Sequence, residues 1–397
     1  MMLIPSTRET KEKHTFLIAF IKFQLVLMII YEGWYLEKYT AIPGVLQLLA
    51  ISIVGSTLLL LLSNPECGKN KLIKFWFSFG LYSIFASLVV DADMSIVLNS
   101  LFTFFSFISV VYCAGVISSY TSDYSWFSKA ILLTSVISAF FALFYGVPYQ
   151  NGAYFVTTMS EYNNPNNLGL LMCVGTFVAL FPERNPRPFG WLARMVMLVA
   201  FLVVTVNTGS RSSLLCEVAV IILFLYARIK RMKGTATERL TKKIALIVSV
   251  FVIAIVVASF IGNANVSGSA IRRLVDKFNV ESFSGRTVLY NLAWDMYKEH
   301  PIFGIGYNCF ANMSGYGYFT HSTYMELLAC TGSIGFILFM SPVLSGTVRG
   351  LRSFKKDEGR STTILLMMLV SGLFGIVYYN MVFLMVLYLE ISRIPDE

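Results

Sequence analysis

Three side chains stand in settings where their chemistry could be used. Arg211 lies in Asn207-Thr208-Gly209-Ser210-Arg211-Ser212-Ser213, ahead of an apolar run. Arg286 lies in Phe283-Ser284-Gly285-Arg286-Thr287, ahead of an amphipathic one. A guanidinium can hold a phosphate through two parallel hydrogen bonds, and a helix N-terminus offers the same anion free N–H groups and a positive dipole end. Two such settings on one face suit a diphosphate. The third residue, His321, precedes Ser322-Thr323-Tyr324-Met325-Glu326, where Thr323 and Glu326 predict a capping box and so a helix start. A histidine beside a positive dipole end favours its neutral form, which can accept a proton from a hydroxyl. Each has a plainer reading. Arg211 could reach for a lipid headgroup, Arg286 could be a helix-surface charge, and His321 could be an incidental loop residue.

Two acidic features are weaker. Asp91-Ala92-Asp93 has the Asp-x-Asp form of some metal-binding sites, but no histidine or third carboxylate stands close in sequence. Glu217 sits inside an apolar run six residues after Arg211, so it needs a partner that Arg211, off the i+3 and i+4 positions, does not supply.

The elements that must position these residues follow from composition. Of 397 residues, 56% are hydrophobic and only 13% charged, against roughly 25% charged in a soluble domain. With a mean hydropathy of +0.68, such a chain cannot cover itself with polar surface in water. Long apolar runs recur at Thr15 to Leu36, Ile42 to Leu62, Phe75 to Val90, Ile96 to Ile117, Ala130 to Tyr145, Leu168 to Phe181, Leu192 to Val206, Ser213 to Tyr226, Ile244 to Ile261 and Tyr324 to Leu344. A last stretch, Ile364 to Ile391, is interrupted at Tyr378-Tyr379-Asn380 and reads as a hairpin. The expected architecture is therefore an all-α, polytopic membrane bundle of about twelve spanning helices, forming one domain over residues 1–397.

Positive charge gives the orientation. The chain carries 31 Lys and Arg against 22 Asp and Glu, a net +9. With the N-terminus inside, most of the cations fall in inner loops, which predicts both termini cytoplasmic and explains the basic balance without nucleic acid. The exceptions are Lys38, Arg211, Arg272, Arg273, Lys277, Arg286 and Lys298 on the outer side, and Lys22 within the first span. No small-residue cleavage site follows the first apolar run, so it is expected to remain as an anchor. Among six cysteines only Cys309 is expected outside, which gives neither a disulfide framework nor a CxxC metal pair.

Most connections are short, but the outer loop from Gly262 to Ser322 runs for about 60 residues. Ile271, Leu274, Val275 and Phe278 mark one amphipathic helix, and Arg286 to about Lys298 a second, with Leu289, Leu292, Ala293 and Met296 as its apolar stripe. His300-Pro301-Ile302-Phe303-Gly304-Ile305-Gly306 then predicts a glycine-containing turn. A mere cap over the bundle is the plainer alternative to a functional loop.

Together these motifs resemble the O-antigen ligase and polymerase superfamily. The resemblance rests on Asn164-Pro165-Asn166-Asn167-Leu168, on Thr208-Gly209-Ser210-Arg211-Ser212-Ser213-Leu214-Leu215, on Ser284-Gly285-Arg286 followed by the His300 to Gly306 motif, and on His321 through Gly332 to Gly335. It spans about residues 160 to 340, and the first 150 match only in hydropathy. It implies a metal-independent, inverting glycosyltransferase of a bacterial cytoplasmic membrane, needing no cofactor. The donor would be a polyprenyl-diphosphate-linked oligosaccharide and the acceptor a sugar hydroxyl on the outer face. By the resemblance, Arg211 and Arg286 would hold the diphosphate and His321 would activate the acceptor, with Asn166, Ser210, Ser212 and Ser322 as substrate-binding residues. Ser322 stands where the family usually has asparagine. Polymerisation of repeat units into a surface polysaccharide is the leading expectation, and a ligase passing finished glycan to a lipid-A core or a protein the nearest rival. A transporter or flippase would show two related halves with matching broken helices, and no such repeat is present.

Overall fold

The computed structural model describes residues 15–33, 44–63, 65, 71–149, 154–157, 165–183, 188–208, 210–231, 235–241, 244, 284–354, 357–376 and 380–394. Its helices are α1 (Thr15–Gly33), α2 (Val45–Ser63), α3 (Lys71–Val89), α4 (Met94–Thr121), α5 (Ser125–Tyr145), α6 (Pro165–Leu180), α7 (Pro188–Asn207), α8 (Arg211–Arg231), α9 (Ser284–Glu299), α10 (Phe310–Met313), α11 (Thr323–Ser353), α12 (Arg360–Phe374) and α13 (Met381–Arg393).

Seven of these contain stretches long and apolar enough to cross a membrane: Thr15–Glu32, Val45–Leu62, Met94–Thr121, Ser125–Tyr145, Gly190–Asn207, Ser212–Lys230 and Thr323–Ser353. Shorter apolar helices cover Ile73–Val89, Asn166–Leu180 and Arg360–Phe374. Helices thus stand where the hydropathy places them, but the described residues do not establish twelve full spans. The expected span Ile244 to Ile261 lies, apart from Ile244, outside the described residues, as does the amphipathic segment around Ile271. Among the described residues the fold is all-α as expected, apart from a small antiparallel hairpin, β1 (Gly146–Tyr149) with β2 (Tyr154–Thr157), in which Gly146 faces Thr157 and Tyr149 faces Tyr154. The β-branched and aromatic residues Val147, Tyr149, Tyr154, Phe155 and Val156 favour this pairing over a continued helix.

The bundle has an aromatic centre. Trp76 and Phe79 on α3, Phe104 on α4, Tyr307, Phe339 on α11 and Tyr388 on α13 meet there as buried rings. Helix α13 is buried along Met381 to Ile391, so this stretch, apolar except for Glu390, reads as a central helix rather than an amphipathic one. On the outside the apolar residues remain exposed. Phe16, Ile51, Leu62, Leu192 and Ile222 project outward, as expected of surfaces solvated by lipid.

At one end of the bundle four charges close on one another. Arg360, opening α12, binds Glu390 through Nε at 3.0 and 2.9 Å and Glu183 through Nη2 at 2.7 Å, and donates to the Phe181 carbonyl at 2.6 Å. Arg393 binds Glu183 at 2.8 Å and Glu390 at 3.1 Å, with its guanidinium 4.1 Å from the Tyr124 ring centre. Breaking a buried, mutually paired cluster leaves an uncompensated charge, so Arg360→Ala is expected to destabilise the protein by about 3 kcal/mol or more. Thermal unfolding of the detergent-solubilised protein would show it as a lowered Tm.

Helix α12 carries the frame from this cluster to the opposite end. Midway, Met367 receives the Cys173 thiol at 3.1 Å through its sulfur and the Cys216 thiol at 3.8 Å through its carbonyl. At and just past its C-terminus the Gly372 and Gly375 carbonyls accept from Ser322 and Thr323, beside His321, and the Leu373 carbonyl accepts from Tyr290. Cys216 on α8 lies at the midpoint of α12, and farther along α8 Phe224 packs on Phe181, beside Arg360, at a ring-centre distance of 5.4 Å. Helix α8 therefore runs opposite to α12, and its start lies toward the His321 end. Glu217, fully buried on α8, receives the Thr176 hydroxyl of α6 at 2.6 Å, which is the partner its position demanded.

Candidate functional site

Helix α11 is two helices. Gly332 has φ 65° and ψ −170°, and the backbone breaks there. Tyr324 and Phe336, either side of the break, bring their ring centres to 6.4 Å, so the first part, Thr323 to Thr331, folds back over the second. A break inside a helix strands carbonyls that must find donors. The segment after α9 supplies them. Ile305 N–H donates to the Ala329 carbonyl at 2.9 Å and Gly306 N–H to that of Cys330 at 3.1 Å, while Ser333 N–H donates to the Pro301 carbonyl at 2.8 Å. Tyr82 of α3 adds its hydroxyl to the Ile302 and Thr331 carbonyls at 2.8 and 3.2 Å.

Such close backbone contact explains the glycines of the motif. A Cβ at Gly304 would lie 2.4 Å from the Cys330 carbonyl carbon, and one at Gly332 would lie 2.2 Å from the Ile302 oxygen. The His300 to Gly306 motif and the Gly332 motif are therefore two halves of one backbone junction, which docks α9 along the first part of α11.

That docking brings Arg286 and His321 together. Arg286 is in the first turn of α9, and Tyr290, one turn on, donates its hydroxyl to the Leu373 carbonyl at 3.2 Å and, more weakly, to that of His321 at 3.5 Å. At the other end of α9, Tyr297 pairs with the Ser333 hydroxyl at 2.8 Å. Burial first, and then the positive charge of Arg286, holds the His321 imidazole below the ordinary histidine pKa. The imidazole is thus neutral at physiological pH, the form that accepts a proton. Burial also raises the Tyr290 phenol, with Arg286 acting in the opposite direction.

The capping box expected at this helix start does not form. Ser322 is the N-cap, without a side-chain cap bond. Thr323 gives both its N–H and its hydroxyl to the Gly375 carbonyl, at 3.1 and 2.8 Å, because the extended chain after α12 offers that carbonyl free. Glu326 instead accepts from Thr320 N–H at 2.9 Å. Ser322 is buried, with its hydroxyl donated to the Gly372 carbonyl at 3.4 Å.

Arg211 is the first residue of α8; its side chain lies outside the described part of the structure. Ser210 is buried and caps α8. Its hydroxyl accepts from Ser213 N–H at 3.4 Å and lies 2.9 Å from the Ser213 hydroxyl and 3.3 Å from that of Ser212. Ser213 in turn donates to the Asn166 carbonyl at 3.3 Å, which ties the start of α6 to the start of α8. The expected residues therefore fall into two groups at one end of the bundle, Arg286 with His321 and Ser322, and Arg211 with Ser210, Ser212 and Asn166. Residues 195–340 match the family model of O-antigen ligase.

The O-antigen ligase match starts within α7 and ends within α11, so it contains Arg211, Arg286, His321 and the whole Gly304–Gly332 junction. Asn166 lies outside it. No curated protein matches the chain. Within the matched segment, sequence reasoning missed Tyr290 as a link between α9 and the His321 loop, and gave Glu326 the wrong partner. For Tyr290 the available signal was its i+4 spacing from Arg286. Outside the segment, Asp93 of the Asp-x-Asp pair caps α4, accepting from Ser95 N–H at 3.0 Å and the Ser95 hydroxyl at 2.6 Å. Those hydrogen bonds lower its pKa.

Proposed function

We propose that the protein transfers a glycan from a polyprenyl diphosphate carrier to a sugar hydroxyl at the outer face of a bacterial cytoplasmic membrane, polymerising repeat units of a surface polysaccharide. The observation that carries this reading is the pairing of a neutral, half-buried His321 with the Arg286 charge at a helix N-terminus, within the segment that matches O-antigen ligase. His321 would take the proton of the acceptor hydroxyl as that oxygen attacks the anomeric carbon. The bond to the diphosphate breaks, and its electron pair stays on the leaving oxygen, where Arg286 and Arg211 offset the charge. Attack opposite the leaving group inverts the anomeric centre. The polyprenyl tail would remain in lipid beside the apolar outer faces of the bundle.

A surface-glycan gel from a deletion strain tests the polymer reading. Single repeats on the acceptor without long chains support it. Loss of all attached glycan supports instead a ligase acting on a lipid-A core or a protein; the matching family model carries the name O-antigen ligase. The pH profile provides a further expectation. Because the His321 pKa is lowered, the neutral base persists below the pH at which an ordinary histidine protonates, and activity falls only as pH drops through the lowered value. Arg286→Ala removes one cause of that lowering, so the acid limb of residual kcat/KM should move to higher pH, whereas Arg286→Lys should leave it in place.

A further inference from the structure

His321 adopts φ 59°, left-handed backbone that is uncommon for any residue but glycine, though histidine tolerates it better than most, and that its surroundings hold in place. The enforcing contacts run through Thr320. Its hydroxyl donates to the Ser322 carbonyl at 2.9 Å and accepts from Ser322 N–H at 3.2 Å, closing a small ring across His321. Its own N–H, buried, donates to Glu326 Oε2 at 2.9 Å. Glu326 is fully buried one turn into α11, and its second oxygen accepts from the Cys330 thiol at 3.6 Å. Both carboxyl oxygens are therefore engaged within the protein, one of them on the residue next to the histidine.

We propose that Glu326 is a positioning residue for His321: its buried oxygen fixes the Thr320 peptide and thereby sets the imidazole over the reacting hydroxyl. The proposal rests on the reading of His321 as the base. The required property is a hydrogen-bond acceptor at the Oε2 position, not the negative charge. Glutamine provides that acceptor, and its amide would face the Cys330 sulfur, a weak acceptor. Alanine leaves the Thr320 N–H buried without a partner and the His321 backbone free to relax toward ordinary dihedrals. An error of about 1 Å in a reacting group can cost on the order of 10²-fold in rate.

The test uses membrane vesicles of the deletion strain complemented with the full chain, and polyprenyl-diphosphate-linked glycan extracted from that strain as the substrate. Glu326→Gln, Glu326→Ala and His321→Asn are compared at matched expression and matched Tm. The expected result is that Glu326→Gln retains activity within about 3-fold, while Glu326→Ala loses on the order of 10²-fold in kcat with donor KM unchanged. A loss confined to kcat and rescued by glutamine is not what a general loosening of the fold would give. If Glu326→Ala is as active as the unaltered protein while His321→Asn is inactive, the positioning role is wrong and the base role stands. If Glu326→Gln is as impaired as Glu326→Ala, the charge matters and the proposal is overturned. Full activity in His321→Asn overturns both.

Discussion

Arg286→Ala is expected to lower glycan transfer by on the order of 10²-fold, about 2.7 kcal/mol of transition-state stabilisation, with expression and Tm near those of the unaltered protein. The arginine occupies the first turn of α9, and the helix is anchored by Tyr290, by Tyr297 and by the backbone junction beyond it. Its truncation should therefore remove charge without moving the frame. A companion loss is expected at His321, where the choice of substitution matters. Asparagine tolerates left-handed backbone and cannot act as a base, so His321→Asn isolates the chemistry, whereas His321→Ala also removes the residue's preference for φ 59°. Measuring both, by glycan length on gels and by transfer rate in vesicles, separates proton transfer from loop geometry. Unchanged chain length in Arg286→Ala and His321→Asn at normal expression would remove the catalytic proposal.

The second large effect is structural. Gly332→Ala should destabilise the protein by roughly 3 kcal/mol or more, because the new Cβ adds a left-handed backbone penalty to a clash with the Ile302 carbonyl that neither backbone can avoid. Gly304→Ala meets the Cys330 backbone in the same way. Gly315→Ala and Gly317→Ala provide the control. Both positions have φ near 70°, and a Cβ there meets nothing within 4 Å, so only the backbone penalty applies. A lower Tm for Gly332→Ala and Gly304→Ala than for these controls would measure the close approach itself. Equal Tm values across the four would show that the junction contributes little.

Much of this was legible in the chain. Apolar runs marked the helices, and the i, i+3 and i+4 stripe marked α9 to within two residues at its start and one at its end. Arg286 and His321 were readable as two motifs, but not as standing close enough for the charge of one to act on the other. Nothing in their spacing says that α9 lies against α11. That placement depends on the break at Gly332, which sequence presents as one more glycine in an apolar run. The misassigned Glu326 shows the same limit. Its spacing from Thr323 is that of a capping box, yet the Gly375 carbonyl, distant in sequence, takes the threonine's donors first. The charge cluster of Glu183, Arg360, Glu390 and Arg393 was likewise invisible as a set, because Glu183, Arg360 and the Glu390–Arg393 pair are separated by whole helices.

The sealed break in α11 bears on how substrates reach the site. Lifting the Pro301 to Gly306 segment would strip the Ala329 and Cys330 carbonyls and the Ser333 N–H of their partners together. That segment is thus held as a fixed wall, and on the proposed reading a long-chain donor would enter from the side rather than beneath a rising flap. Amide hydrogen exchange should report this directly, with Ile305, Gly306 and Ser333 among the slowest amides of the outer segment and no faster during turnover.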